Sequence, residues 1–219
     1  MATVIEAKSA VIETYPYEFH VTVNAERIDV DKYRAACRDI GVKPIVLDLE
    51  VNSGTPFRDV MTSSKMHGSD HEAYTTLNGI AAALTARGYS VVRRKIETSP
   101  WHPGAPSTDN GIEMPGGSYF ESHFGVLLRP EDKPFLRSVI DKSKLRHPLH
   151  LSSNAFKQEG DEITVMATAR SYEGTVEEFT DNVAAHFGYL SQHFRVEDPI
   201  VEFALFDSST HHDDAWLAL

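Results

Sequence analysis

Two short stretches hold the residues with the most chemistry to offer. Tyr17-Glu18-Phe19-His20-Val21-Thr22-Val23 and Phe120-Glu121-Ser122-His123-Phe124-Gly125-Val126 both read as strands with a period of two. In the first, Tyr17, Phe19, Val21 and Val23 share one face, and Glu18, His20 and Thr22 share the other. In the second, Glu121, His123 and Gly125 lie opposite Phe120, Phe124 and Val126. A half-buried strand usually gives its open face to expendable polar residues. Both copies instead place Glu-x-His there, in the same phase. An imidazole titrates near neutrality, so it can move a proton or ligate a metal, and a carboxylate two residues away can share either task.

Other reactive side chains fall on neighbouring strands. Arg93, Lys95 and Glu97 share a face late in the first half, and Glu202 occupies the matching place late in the second. His150, Ser152 and Asn154 share a face, as do Thr168 and Arg170. Buried together, such groups have to pair, bind something or shift their pKa values.

The elements that position them recur. In the first half, a strand at 17–23 precedes a helix capped by Asp29 or Asp31 and stopped at Gly41. Pro44 leads into a strand at 45–51, with a turn at Asn52-Ser53-Gly54 and a strand near 57–66. A helix over 70–87 and a strand over 89–97 complete the order β-α-β-β-α-β. The second half repeats it: a strand at 119–128, a helix at 131–142, strands at 149–156 and 163–170, a helix from the Thr175 cap to about 192, and a strand over 194–206. His20 and His123 are 103 residues apart, Pro44 and Pro148 are 104, and Glu97 and Glu202 are 105. This common register predicts a duplication. The fold expected is α+β: two tandem ferredoxin-like repeats packed with pseudo-two-fold symmetry around a central cleft. Residues 1–97 form the first repeat with an entry segment, 98–117 a Pro/Gly-rich connecting loop, and 118–219 the second repeat with a polar tail. In this arrangement the helices cover one face of each sheet and the two bare faces meet across the cleft.

His20-Val21-Thr22-Val23 resembles the His-x-Thr/Ser-hydrophobic signature of the 2H phosphoesterases, which include the LigT-like RNA cyclic phosphodiesterases. The resemblance implies two related α+β lobes, each supplying one motif to a central groove, with two histidines as general acid and base and hydroxyls holding a phosphate without metal. On this chain it implies His20 as one acid/base group, His123 or His150 as the other, and Thr22, Arg93, Lys95 and Arg170 as holders of a small anionic ligand, a nucleotide or RNA terminus. The repeat-equivalent motif is His123-Phe124-Gly125-Val126, with glycine at the hydroxyl position, whereas His150-Leu151-Ser152-Ser153 keeps the hydroxyl. A second reading uses the carboxylates. Glu18, His20, Glu121 and His123 could converge on one divalent transition metal across the cleft, giving a metal-dependent enzyme. A third is a noncatalytic binding or structural module, with the acids neutralised by Lys95 and Arg93.

Composition sets limits. The chain has 219 residues, 41% hydrophobic and 24% charged, with a formal charge of −11. Such an acidic balance argues against extended nucleic-acid binding, which needs a basic surface. No apolar run approaches the roughly 20 residues that cross a bilayer, and no secretory leader is visible, so a cytoplasmic location is expected. The single cysteine, Cys37, falls on an apolar helix stripe and reads as a buried structural thiol. His67 and His71 read as a loop and cap, and Trp101-His102-Pro103-Gly104 as a loop that could cover the cleft. Trp216 and Leu217 are expected to dock the tail. Neither a phosphate-binding glycine loop nor a nucleophile elbow is present.

Overall fold

The computed structural model describes residues 13–49, 57–159 and 161–213. The expected turn at 52–54 and the docking of Trp216 and Leu217 lie outside them. The first half runs β1 (Tyr15–Val23), α1 (Val30–Ile40), β2 (Lys43–Leu49), β3 (Phe57–Gly68), α2 (Asp70–Thr85) and β4 (Val91–Thr98). The second runs β5 (Tyr119–Leu128), α3 (Lys133–Lys142), β6 (His150–Glu159), β7 (Glu162–Ser171), α4 (Val176–Leu190), β8 (Arg195–Val196) and β9 (Ile200–Asp207).

Local chemistry fixes the helix ends. Asp29 accepts from the Lys32 N–H at the start of α1, and Gly41, at φ 76°, turns the chain out of it. Full capping boxes start α2, from Ser69 and Glu72, and α4, from Thr175 and Glu178. The strand expected over 194–206 is broken: β8 ends at Val196 and β9 begins at Ile200, after Pro199, which has no N–H to give a ladder. Both pieces still lie along β5, β8 against Val126 and Leu127 and β9 against residues 119–123.

Strand order is the same in the two halves: β2-β3-β1-β4 and β6-β7-β5-β9, all antiparallel. Pairing β4 with β9, and β2 with β6, joins the halves edge to edge, so these eight strands close into one ring. The molecule is therefore an α+β barrel with a large antiparallel sheet. The two bare sheet faces turn toward one interior and are also joined at their edges, so what was expected as a cleft is the inside of a closed barrel. Closure removes the edge strands that an open sheet would expose.

The helices lie outside. Tyr17, Phe19, Val21 and Val23 pack beneath α1 and α2 with Tyr33, Cys37, Leu77 and Leu84. Phe120, Phe124 and Val126 form the corresponding core with Leu136, Phe179 and Val183. Strand alternation then turns Glu18, His20 and Thr22, and likewise Glu121, His123 and Gly125, into the barrel. Beyond β9 the chain lies against the end of the barrel farthest from Glu18: the Ser208 hydroxyl accepts from the Arg94 N–H, and His212 reaches buried Asp59 at 3.3 Å.

A buried carboxylate and histidine cluster inside the barrel

Register decides which polar residues meet. On β1, Glu18 faces Lys65 of β3 on one side and Glu97 of β4 on the other, and His20 faces Lys95. On β5, Glu121 faces Arg170 of β7 and Glu202 of β9, and His123 faces Ile200. Each half thus sets Glu-x-His between a cation on its third strand and a glutamate on its fourth.

Most of these charges are satisfied internally. Glu18 accepts from Lys65 at 2.8 Å and from the Ser63 hydroxyl at 2.6 Å. Burial would raise its carboxyl, but these two hydrogen bonds hold it below the usual value. The Lys95 ammonium contacts both Glu97, from its own half, and Glu121, from the other. Arg170 donates to Glu121 through Nε at 2.9 Å and lies over the Tyr119 ring, 4.2 Å from its centroid. Burial opposes the charge on Glu121, yet Arg170 and Lys95 outweigh it and keep the carboxyl well below its ordinary range. Arg93 is bound to Asp207 by Nε at 3.0 Å and to Tyr119 at 3.0 Å. Thr22 is buried and its hydroxyl has no hydrogen-bond partner among the described residues.

The two histidines differ. His20 Nδ1 faces the Thr62 carbonyl at 3.1 Å and Nε2 lies 2.8 Å from Glu97. Acceptors at both nitrogens favour the doubly protonated ring. Burial would lower its pKa, but Glu97 raises it. His123 rests Nδ1 on the Thr168 hydroxyl at 3.0 Å, while Nε2 stands 3.7 Å from Glu121 and 3.8 Å from Glu202. There burial wins, and His123 is pushed towards its neutral form.

Glu202 is the carboxylate left over. Among the described residues it is matched only by His123, and burial together with the charge of Glu97 pushes its pKa up to about 8. Glu97, His123 and Glu202 each offer a ligand atom, and those atoms lie within 4.8 Å of one another. Among the described residues this is a set that could hold a metal. A pocket of about 200 Å³ opens onto the cluster, bounded by Glu18, Lys65, Glu97, Ile200 and Glu202.

Of the residues expected to act, Glu18, His20, Lys95, Glu121, His123 and Arg170 meet in this interior. Arg93 sits nearer the far end, on Asp207. His150 is buried on β6 and faces Thr168, the residue that holds His123. Gly125, at the hydroxyl position of the second motif, is overlain by Glu197: a Cβ there would fall 3.3 Å from the Glu197 Cβ and closer still to its carboxylate. Sequence reasoning missed Lys65. It lies 105 residues before Arg170, the spacing that also separates Glu97 from Glu202, so the repeat register carried the signal.

No family model matches the chain, and no curated protein does. Among solved structures it is similar to an unknown protein from Galdieria sulphuraria, at 11% identity over 88% of this chain and 100% of that one, with a TM-score of 0.27. A Fusobacterium nucleatum protein described as a putative monooxygenase shares 8% identity over 87% and 91% of the two chains, with a TM-score of 0.27. One from Lactobacillus acidophilus with the same description shares 11% over 88% and 94%, with a TM-score of 0.28. Likenesses this distant carry no argument about the chemistry of this chain. No helix among the described residues is long and apolar enough to cross a membrane.

Proposed function

We propose that the barrel interior binds a small cation in the pocket beside Glu202, with His123 as the adjacent proton acceptor. The observation that carries this is the distribution of partners. Lys65, Lys95, Arg170 and His20 are matched to Glu18, Glu97 and Glu121, which leaves Glu202 at the pocket without a cation of its own among the described residues. A carboxylate in that position either takes up a proton or attracts a positive ligand. The anion-holding role expected of Arg93, Lys95 and Arg170 would require each to leave a buried carboxylate, which is costly. The shared strand order and repeat register support reading the halves as duplicated ferredoxin-like units, and buried Cys37 is in keeping with a reducing cytoplasm.

The Glu97, His123 and Glu202 set favours a divalent transition metal as a second reading, because a nitrogen and two carboxylates suit zinc, iron or manganese. Titration calorimetry on chelator-stripped protein, with Zn²⁺, Mn²⁺ and organic cations in turn, tests both. Binding by at least one cation, weakened tenfold or more in Glu202→Gln, is expected. If no cation binds and 2′,3′-cyclic nucleotides do, the interior serves a phosphorylated ligand and the cation reading is wrong.

A further inference from the structure

The two halves place their interior Glu-x-His residues in one register, with one break in the residue that faces the histidine from the fourth strand. Glu18 stands between Lys65 and Glu97 as Glu121 stands between Arg170 and Glu202. Where His20 faces Lys95, however, His123 faces Ile200. The Lys95 ammonium bridges the fourth-strand glutamate of its own half, Glu97, and the first-strand glutamate of the other, Glu121. Exchanging the halves maps that bridge onto Glu202 and Glu18. No lysine reaches this pair from position 200. Ile200 is 58% exposed, and the 200 Å³ pocket lies at this place, walled by Glu18, Glu202 and Ile200.

We propose that this pocket receives the ammonium group of a small primary amine, seated between Glu18 and Glu202 as Lys95 is seated between Glu97 and Glu121. The inference rests on reading the pocket as a cation site and adds the class of ligand. Size agrees: a pocket of about 200 Å³ open to solvent admits a short alkylamine. Its wall agrees too. Met66, Ile200 and Val201 offer apolar surface for a carbon stem beside the two carboxylates, much as a lysine stem lies along apolar surface with its charge paired. The partners of Glu18 also leave room. Glu121 takes both Arg170 and Lys95 in close contact, whereas its counterpart Glu18 takes one close cation, Lys65, beside the Ser63 hydroxyl and His20 at 3.7 Å.

The probe is n-butylammonium, the side chain of lysine without its backbone, with n-butanol as the uncharged control. Calorimetry on the intact, chelator-stripped chain is expected to show one site for n-butylammonium and none for n-butanol. Affinity should fall at least tenfold in Glu18→Gln and in Glu202→Gln, with folding checked by circular dichroism. Ile200→Lys should supply the missing ammonium from the chain itself and abolish n-butylammonium binding. Wild-type affinity in any of these three variants overturns the proposal. Binding of Zn²⁺ or Mn²⁺ without n-butylammonium overturns the amine and keeps the cation site; binding of neither overturns both.

Discussion

At the scale of single residues, Glu202 and Lys95 make opposite predictions. Glu202 holds its proton more tightly folded than unfolded, since burial and the nearby charge of Glu97 lift it to about 8. Between roughly pH 4.5 and 8 the folded state therefore carries a proton the unfolded state has lost, and stability falls as pH rises through that window. Replacing Glu202 by glutamine should flatten this part of the stability profile, by up to a few kcal/mol at the alkaline end; urea melts at pH 5, 7 and 8.5 read the difference. A profile as steep as wild type would remove Glu202 as its source. Lys95 acts the other way. Changing it to methionine leaves Glu97 with His20 and Glu121 with Arg170 but removes the charge shared between them, and should cost about 3 kcal/mol in the same melts at neutral pH.

At the scale of elements, the caps hold helices whose outer faces are polar. Thr175→Ala removes the hydroxyl that accepts from Glu178 and should lower stability by about 1 kcal/mol, measurable as a small shift in the urea midpoint. Such elements were legible in the sequence because their causes are local: Asp29, Gly41, Ser69 and Thr175 act within one turn of where they stand. The Glu-x-His faces were legible for the same reason, as alternation puts Glu18 and His20 opposite Phe19 and Val21 whatever the tertiary fold. Register between strands was not. Lys65 meets Glu18 only because β3 pairs with β1 at one particular offset, and a lysine two positions away would have read equally well. The split between β8 and β9 was signalled by Pro199, which the apolar pattern around it masked.

At the scale of the whole molecule, closure is what sequence patterning could not reveal. Two sheets facing each other and two sheets joined at their edges bury the same alternate residues, and only the β2–β6 and β4–β9 ladders distinguish them. Those ladders, with the Arg93–Asp207 and Lys95–Glu121 contacts, tie the halves through their polar interior. Unfolding should accordingly be a single transition, with amide exchange in β4 and β9 protected to the same free energy. Distinct protection levels in the two halves would show that each opens by itself.

A dimer of identical subunits has to place every residue twice. Whatever is written into one half of its barrel appears in the other, so both cation positions are plugged or both are vacant. With the two halves on one polypeptide, position 95 is lysine while position 200 is isoleucine, and the interior is lopsided at this pair. Occupancy should then saturate at one ligand per chain, along a simple hyperbola with a Hill coefficient of about 1. In this barrel asymmetry is a property of the covalent linkage, and it is the asymmetry that sets Ile200 where its counterpart is Lys95.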